Sequence, residues 1–190
     1  MTTTNFFFFI ATLLLSCHIL AGAAGDFVRP IDRSLLGLNR EEKVSHFKLY
    51  WHDIVSGENP TSIDVVPPTN KVNTTTKFGV INIMDNPLTL GPKLSSKLVG
   101  RAQGFYASTG QTEADLLLAM NFAFVEGKYN GSTITILGRN PIFHQERELA
   151  VIGGSGLFRF AKGYALLNTY WVDPKSGGTI VEYNVYVIHY

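Results

Sequence analysis

Beyond residue 45 the chain alternates apolar and polar positions with a period of two, run after run, between clusters of turn-forming residues. That is the pattern of antiparallel strands with one face buried. Phe47, Leu49, Trp51 and Asp53 share one face of the first run, and further runs cover 78–84 and 100–108. In 116–126, Leu116, Leu118, Met120, Phe122 and Phe124 face one way and Asn121 the other. The turn EGKYNGS contains an Asn-Gly pair suited to positive φ, which predicts a hairpin into 132–137. A strand over 147–152 ends in Gly153-Gly154-Ser155-Gly156, and DPKSGG joins 162–171 to 179–190 as a last hairpin. With a short edge strand at 62–66 this gives about eight strands and no convincing helix, so the pattern predicts an all-β fold. An eight-stranded antiparallel β-barrel is preferred over a sandwich. The final run, TIVEYNVYVIHY, is β-branched and aromatic and lacks proline. As an open edge it would invite aggregation, and pairing within a barrel or at a subunit contact removes that hazard. There is no internal repeat.

The N-terminus changes the picture of where this domain works. The first 25 residues carry no Asp, Glu, Lys or Arg, run largely apolar from Phe6 to Leu20 and turn to small residues at 21–25. This predicts a secretory signal peptide over 1–24, with cleavage near 23–25. A loosely ordered arm over 25–45 is expected next, then the barrel domain over 46–190. No later segment approaches the roughly 20 consecutive apolar residues of a membrane span, so a secreted, extracellular protein is expected. Of the 190 residues, 45% are hydrophobic and 16% charged, the balance of a globular chain. The sole cysteine, Cys17, lies in the expected signal, which excludes disulfides from the remainder. Stability must therefore come from the core. Asn73 and Asn130 head glycosylation acceptor triplets, whereas Asn59-Pro60-Thr61 is blocked by its proline. A net charge of +1, with no basic stripe, gives no case for nucleic acid.

A barrel of this size is just wide enough inside for side chains or one small ligand, so inward polar residues are informative. Asp53 continues the inward face of Trp51, where a dehydrated carboxylate would suit proton transfer near neutral pH. It can equally start the turn before Ser56-Gly57, accepting backbone N–H bonds. Arg147 aligns with Leu149 and Val151, which predicts either an interior guanidinium able to pair with a carboxylate or phenolate, or a solvated strand end beside Glu146 and Glu148. Tyr106 and Thr169 sit in alternating strands and read as well as cross-strand packing residues as ligand contacts. GGSG does not complete a nucleophile elbow, and there is no phosphate loop and no H-E-x-x-H. His46, His52, His144 and His189 lack a compact ligand spacing, so no metal and no cofactor is expected. Any oxidation would have to come from another protein.

The strings YWHDI (50–54), MDNPLTLGP (84–92), SSKLVGRAQGFYAS (95–108), FAFVEGKYNGSTITILGRNP (122–141) and VIGGSGLFRFAKGYA (151–165) resemble the plant dirigent proteins, in order and at the expected spacing, over 46–190. The resemblance implies an eight-stranded barrel similar to allene oxide cyclases, a dimer or trimer, and secretion to the cell wall. It also implies control over the stereochemistry with which phenoxy radicals couple in lignan biosynthesis, a separate laccase or peroxidase being the oxidant. Asp53 matches the aspartate of the family's HD motif, Arg147 a pocket arginine, Tyr106 a pocket tyrosine and Thr169 a pocket threonine. Where lignan-forming members carry G-A-D-P this chain reads Gly138-Arg139-Asn140-Pro141, so Asn140 replaces a second carboxylate and cannot supply a proton near neutral pH. The chain looks more like the branch that includes legume pterocarpan synthases, isoflavanol dehydratases that need no cofactor. By that resemblance Asp53 is the acid, Arg147 steadies a phenolate, and Phe122 and Phe124 hold the rings. A passive carrier of phenolics is the third reading.

Overall fold

The computed structural model describes residues 27–68 and 75–190. Residue contacts divide the chain between Asn39 and Arg40. In the first unit the described residues form a single 3-10 turn, Arg33–Leu36, started by the Asp32 carboxylate accepting from the Ser34 N–H and stopped at Gly37 in the left-handed region. The segment expected to be a signal peptide, Cys17 and Asn73 lie outside the described residues.

The described residues of the second unit, Arg40–Tyr190, form nine strands: β1 Lys43–Asp53, β2 Ser62–Val66, β3 Ile81–Thr89, β4 Leu98–Ser108, β5 Asp115–Phe124, β6 Thr133–Pro141, β7 Arg147–Ser155, β8 Lys162–Val172 and β9 Thr179–His189. Each from β3 to β9 pairs antiparallel with its sequence neighbour. β1 lies along the whole of β9, from Lys43 opposite His189 to Asp53 opposite Thr179. Its other edge meets β3 at Tyr50 opposite Thr89 and Trp51 opposite Leu88. β2 then takes over that edge, with Ser62 opposite Met84 and Ile63 opposite Ile83. β1 and β2 thus fill one place in turn, and the nine strands close into an eight-stranded antiparallel barrel.

Pro87 explains how a proline survives inside β3. The Asp85 N–H reaches the Thr61 carbonyl on the β1/β2 edge, so the nitrogen of Pro87, two residues on, faces the same edge. There it falls between the end of the β1 pairing and the start of the β2 pairing, where no ladder bond is forfeited. The strand therefore runs to Thr89, beyond the 78–84 expected from periodicity. β1 likewise starts at Lys43 rather than His46, because Lys43 to Ser45 pair with the end of β9. The 153–155 stretch, expected as a turn, belongs to β7 opposite Thr133 to Thr135.

Alternation places Leu49, Trp51, Met84, Leu88, Ala102, Leu118, Met120, Phe122, Ile134, Ile136, Leu149, Leu167 and Tyr183 in one continuous core. Burying each large aliphatic or aromatic side chain here stabilises the fold by about 1.5–3 kcal/mol. Gly104 permits the tight β4–β5 contact, since a Cβ there would stand 2.1 Å from the Ala119 carbonyl oxygen. The two ends of the barrel differ. At the end where β1 begins, Phe47, Phe124, Tyr129 and Phe158 form an aromatic cluster with ring centroids 5.2–6.0 Å apart. Phe158 also meets His189 edge-on at 5.1 Å. Gly156, at φ +60, starts the short turn that swings Phe158 into this cluster. That end is plugged.

Candidate functional site: a polar pocket at the open end

The other end, where β1 finishes, collects the buried polar side chains. Asp53 is inward and buried rather than a turn residue, and its backbone pairs with Thr179. One carboxylate oxygen accepts from the Ser62 hydroxyl and from Asn86 Nδ2 at 3.0 Å; the other accepts from the Tyr106 hydroxyl at 3.2 Å. Asn86 is held in turn by Thr61, whose hydroxyl donates to its Oδ1, and by Ser62 at 3.2 Å. Every donor around Asp53 is neutral. Burial pushes its carboxyl above the ordinary value, and the bonds from Ser62, Asn86 and Tyr106 oppose that rise without cancelling it. Tyr106 is held well above the ordinary tyrosine range, by burial first and then by the neighbouring Asp53 charge.

At the same end, Arg147 is 4% exposed and, among the described residues, has no carboxylate partner. Its Nη1 donates to Asn140 Oδ1 at 3.3 Å and its Nη2 to Thr169 Oγ1 at 2.8 Å, while its Nε has no partner within the protein. Burial pulls its pKa down from the ordinary arginine value, which still leaves the group cationic near neutrality. Of the two readings open for Arg147, the interior one holds. Thr169 has the inward register, opposite Val181, yet it is exposed, so the pocket opens to solvent beside it.

The structure therefore brings five of the candidate residues together in two groups, Asp53 with Tyr106 and Arg147 with Asn140 and Thr169. Phe122 lies deeper, fully buried and edge-on to Tyr183 at 5.2 Å. Phe124 is the correction. It belongs to the aromatic cluster at the plugged end, against Phe47 at 5.4 Å, because six strand residues, or about 20 Å, separate Phe47 from Asp53 on the same strand. Asn130 lies in the β5–β6 turn and is exposed. Alternation within MDNPLT puts Asn86 between inward Met84 and Leu88, and the same rule turns Tyr183 inward between Val181 and Val185 in VEYNVYV, so both buried polar residues were legible in the sequence.

A separate cavity of about 350 Å³ adjoins Asp53 at the rim. Its walls include His52, Trp171 and Ile180, which pair with one another on the outer face of β1, β9 and β8, and it does not include Arg147 or Tyr106. Among the described residues no cluster of three or more His, Cys, Asp or Glu is placed to hold a metal ion, and no helix is long and apolar enough to cross a membrane.

Comparison with known proteins agrees with this architecture. The dirigent-like protein family model matches residues 44–188. Dirigent protein 7 of Arabidopsis thaliana is 51% identical over 94% of this chain and 94% of its own length. Pterocarpan synthase 1 of Glycyrrhiza echinata is 43% identical over 96% of this chain and 97% of its own. The solved structure of the pterocarpan synthase dirigent protein GePTS1 superposes with a TM-score of 0.75 at 46% identity, covering 80% of this chain and 88% of that one. A barrel closed by β1 against β9 and β3, with an aspartate and an arginine buried at its open end, thus belongs to the dirigent protein family.

Proposed function

We propose that this protein steers a quinone-methide step in plant phenolic biosynthesis, and that its own reaction is the loss of water from an isoflavanol with closure of a new ring. The observation that carries this reading is the split pocket: a buried carboxyl among neutral donors on one wall and a buried guanidinium without a counter-ion on the other. Burial raises the Asp53 carboxyl above its ordinary value, which favours the protonated form, and that proton can be delivered to a departing hydroxyl. The substrate's phenolate supplies electrons from the para position, the C–O bond breaks, and water and a quinone methide result. A second phenol of the same molecule then attacks the carbon, its proton returns to Asp53, and the first ring regains aromaticity with its oxygen facing Arg147. Atoms balance as substrate minus water, with no oxidant. Similarity to the pterocarpan synthases supports this choice.

A second reading is favoured by the similarity to Dirigent protein 7: the barrel holds phenoxy radicals, made by a separate laccase or peroxidase, so that they couple with one handedness. In either case the protein is expected to act outside the cell, in the apoplast, as a glycoprotein. A homo-oligomer is supported by an outward apolar row, Ile63 opposite Ile83 and Ile83 opposite Phe105, all exposed. Purified protein incubated with an isoflavanol and no oxidant should release cyclised product of one handedness. No product there, with a chiral dimer formed once laccase and coniferyl alcohol are added, would replace the first reading by the second. Binding with neither outcome would leave a passive carrier.

A further inference from the structure

The outer cavity at the rim takes no part in the reading above, and one of its walls is a buried histidine that the interior chemistry does not use. His52 is 3% exposed. Its Nε2 lies 2.7 Å from the Thr89 hydroxyl, whose own proton goes to the Gly91 carbonyl at 2.7 Å. The histidine must therefore donate from Nε2. Burial pulls its pKa below the ordinary value, so near neutral pH the ring is uncharged and Nδ1 carries a lone pair. That nitrogen has no partner within the protein and is not sealed from solvent. The cavity thus holds a fixed hydrogen-bond acceptor.

The other walls add an aromatic face and a charge. Along β8 the register against β9 jumps from Thr169 opposite Val181 to Trp171 opposite Ile180. Straight alternation would turn Trp171 inward like Thr169; the extra residue, Tyr170, turns it to the outer face instead. There its indole is half exposed, and it lines the cavity with Leu94 and Ile180. Of the two aspartates on these walls, Asp53 turns its carboxylate into the barrel, toward Ser62, Asn86 and Tyr106. Asp173 stays at the rim, where bonds from the Ser176 hydroxyl and the Lys175 N–H hold its carboxyl below the usual range and keep it ionised. Among the described residues no lysine or arginine lines the cavity.

These features discriminate between ligands. His52 Nδ1 and the Asp173 carboxylate only accept hydrogen bonds, and the face of an indole attracts cations. An anion would meet like charge with no counter-ion, and a neutral ring would use the apolar walls but not the carboxylate. A volume of about 350 Å³ suits one small ring with a short tail. We propose that the rim cavity is a second binding site, which takes an aryl-alkylammonium ion with its ring against Leu94 and Ile180 and its ammonium directed to His52 Nδ1, Asp173 and the Trp171 face. It lies on the outer face of the sheet and does not depend on the reaction proposed for the interior.

The test reads the two tryptophans of the chain, Trp51 in the core and Trp171 at the rim. Isotope-labelled protein gives an indole N–H resonance for each, and W171F assigns them. Titration with phenethylammonium is expected to shift the Trp171 signal saturably and to leave Trp51 in place. Phenethyl alcohol, the same ring without the charge, should bind at least about tenfold more weakly, and the anion hydrocinnamate should not bind. Asp173→Asn, in a turn at the surface, should lose about tenfold affinity for the ammonium and none for the alcohol. His52→Phe keeps a planar ring but no lone pair, and should weaken the ammonium more than the alcohol. Should that buried substitution prevent folding, Asp173→Asn and the comparison of probes on wild type decide alone. A shift confined to Trp51, equal affinities for ammonium and alcohol, or undiminished binding by Asp173→Asn each overturns the proposal. Isoflavanol turnover is scored separately: binding at Trp171 without turnover keeps the site and removes the dehydration reading, and turnover without binding at Trp171 does the reverse.

Discussion

The two ends of the barrel are made by the same strands and solve opposite problems. At the plugged end, Phe47, Phe124, Tyr129 and Phe158 satisfy one another through ring contacts, and Phe158 is fully buried. At the open end, Arg147 Nε, the Tyr183 hydroxyl and Trp51 Nε1 are buried without protein partners, and Asp53 is held by neutral groups. The plugged end is built on ring packing and leaves His189 Nδ1 unpartnered beside Phe158; the open end leaves several buried donors unpartnered. Polar groups that are desolvated in advance and already oriented act strongly on a ligand because nothing must reorganise when it arrives. The contrast teaches that ring packing and unpaired polar groups are kept apart by about six residues of strand, roughly 20 Å along β1.

Substitutions can break that division if it is wrong. The largest effect is expected at the plug: Phe158→Ala should cost about 3–5 kcal/mol of stability in denaturant unfolding, while the folded fraction keeps its product handedness. Loss of handedness would mean that the ends are not independent. Next comes Asp53→Asn, which keeps the hydrogen-bonded shape but removes the proton. Turnover of the isoflavanol should fall at least about 100-fold, while stability at neutral pH holds or rises. Asn140→Asp sharpens the picture of the other wall. It places a carboxylate where an amide now accepts from Arg147 at 3.3 Å, neutralises the guanidinium, and should weaken p-nitrophenolate binding about tenfold.

The smallest effect is the pH dependence of stability. The folded pKa of Asp53 lies above its unfolded value, so in the window between them the folded protein holds a proton the unfolded chain has released. The stabilising contribution is fully present below the ordinary 3.8 and is lost as pH rises through the folded value. The melting temperature of wild type relative to Asp53→Asn should therefore decline from acid toward neutral pH. A difference independent of pH would mean that Asp53 is not desolvated.

Much of this was legible in the chain. Period-two alternation located the strands and turned Leu49, Trp51, Leu118 and Phe122 inward, because a strand leaves only two faces to choose from. What it could not reach was which inward residues face each other. Alternation puts Phe122 and Phe124 on one face but is blind to depth, and depth sets Phe122 in the mid-barrel core against Tyr183 and Phe124 in the plug. Ser62 and Asn86 hold Asp53 only because β2 succeeds β1 along β3, a handover invisible in local pattern. The resemblance supplied Asp53 and Arg147, yet it carries over matched positions only, and so it passed over Tyr183.

The seam between β1 and β9 has a kinetic consequence. It joins residues 43–53 to 179–189, nearly the full span of the barrel, and no partial sheet can close without its last strand. Forming this seam sets the folding barrier, since a long loop must be ordered before its contacts repay it. A chain emerging from its N-terminus would carry β1 exposed until β9 arrives. Folding should thus be slow, on the order of milliseconds to seconds, and substitutions in TIVEYNVYVIHY should slow refolding more than equally destabilising ones in the β4–β5 hairpin.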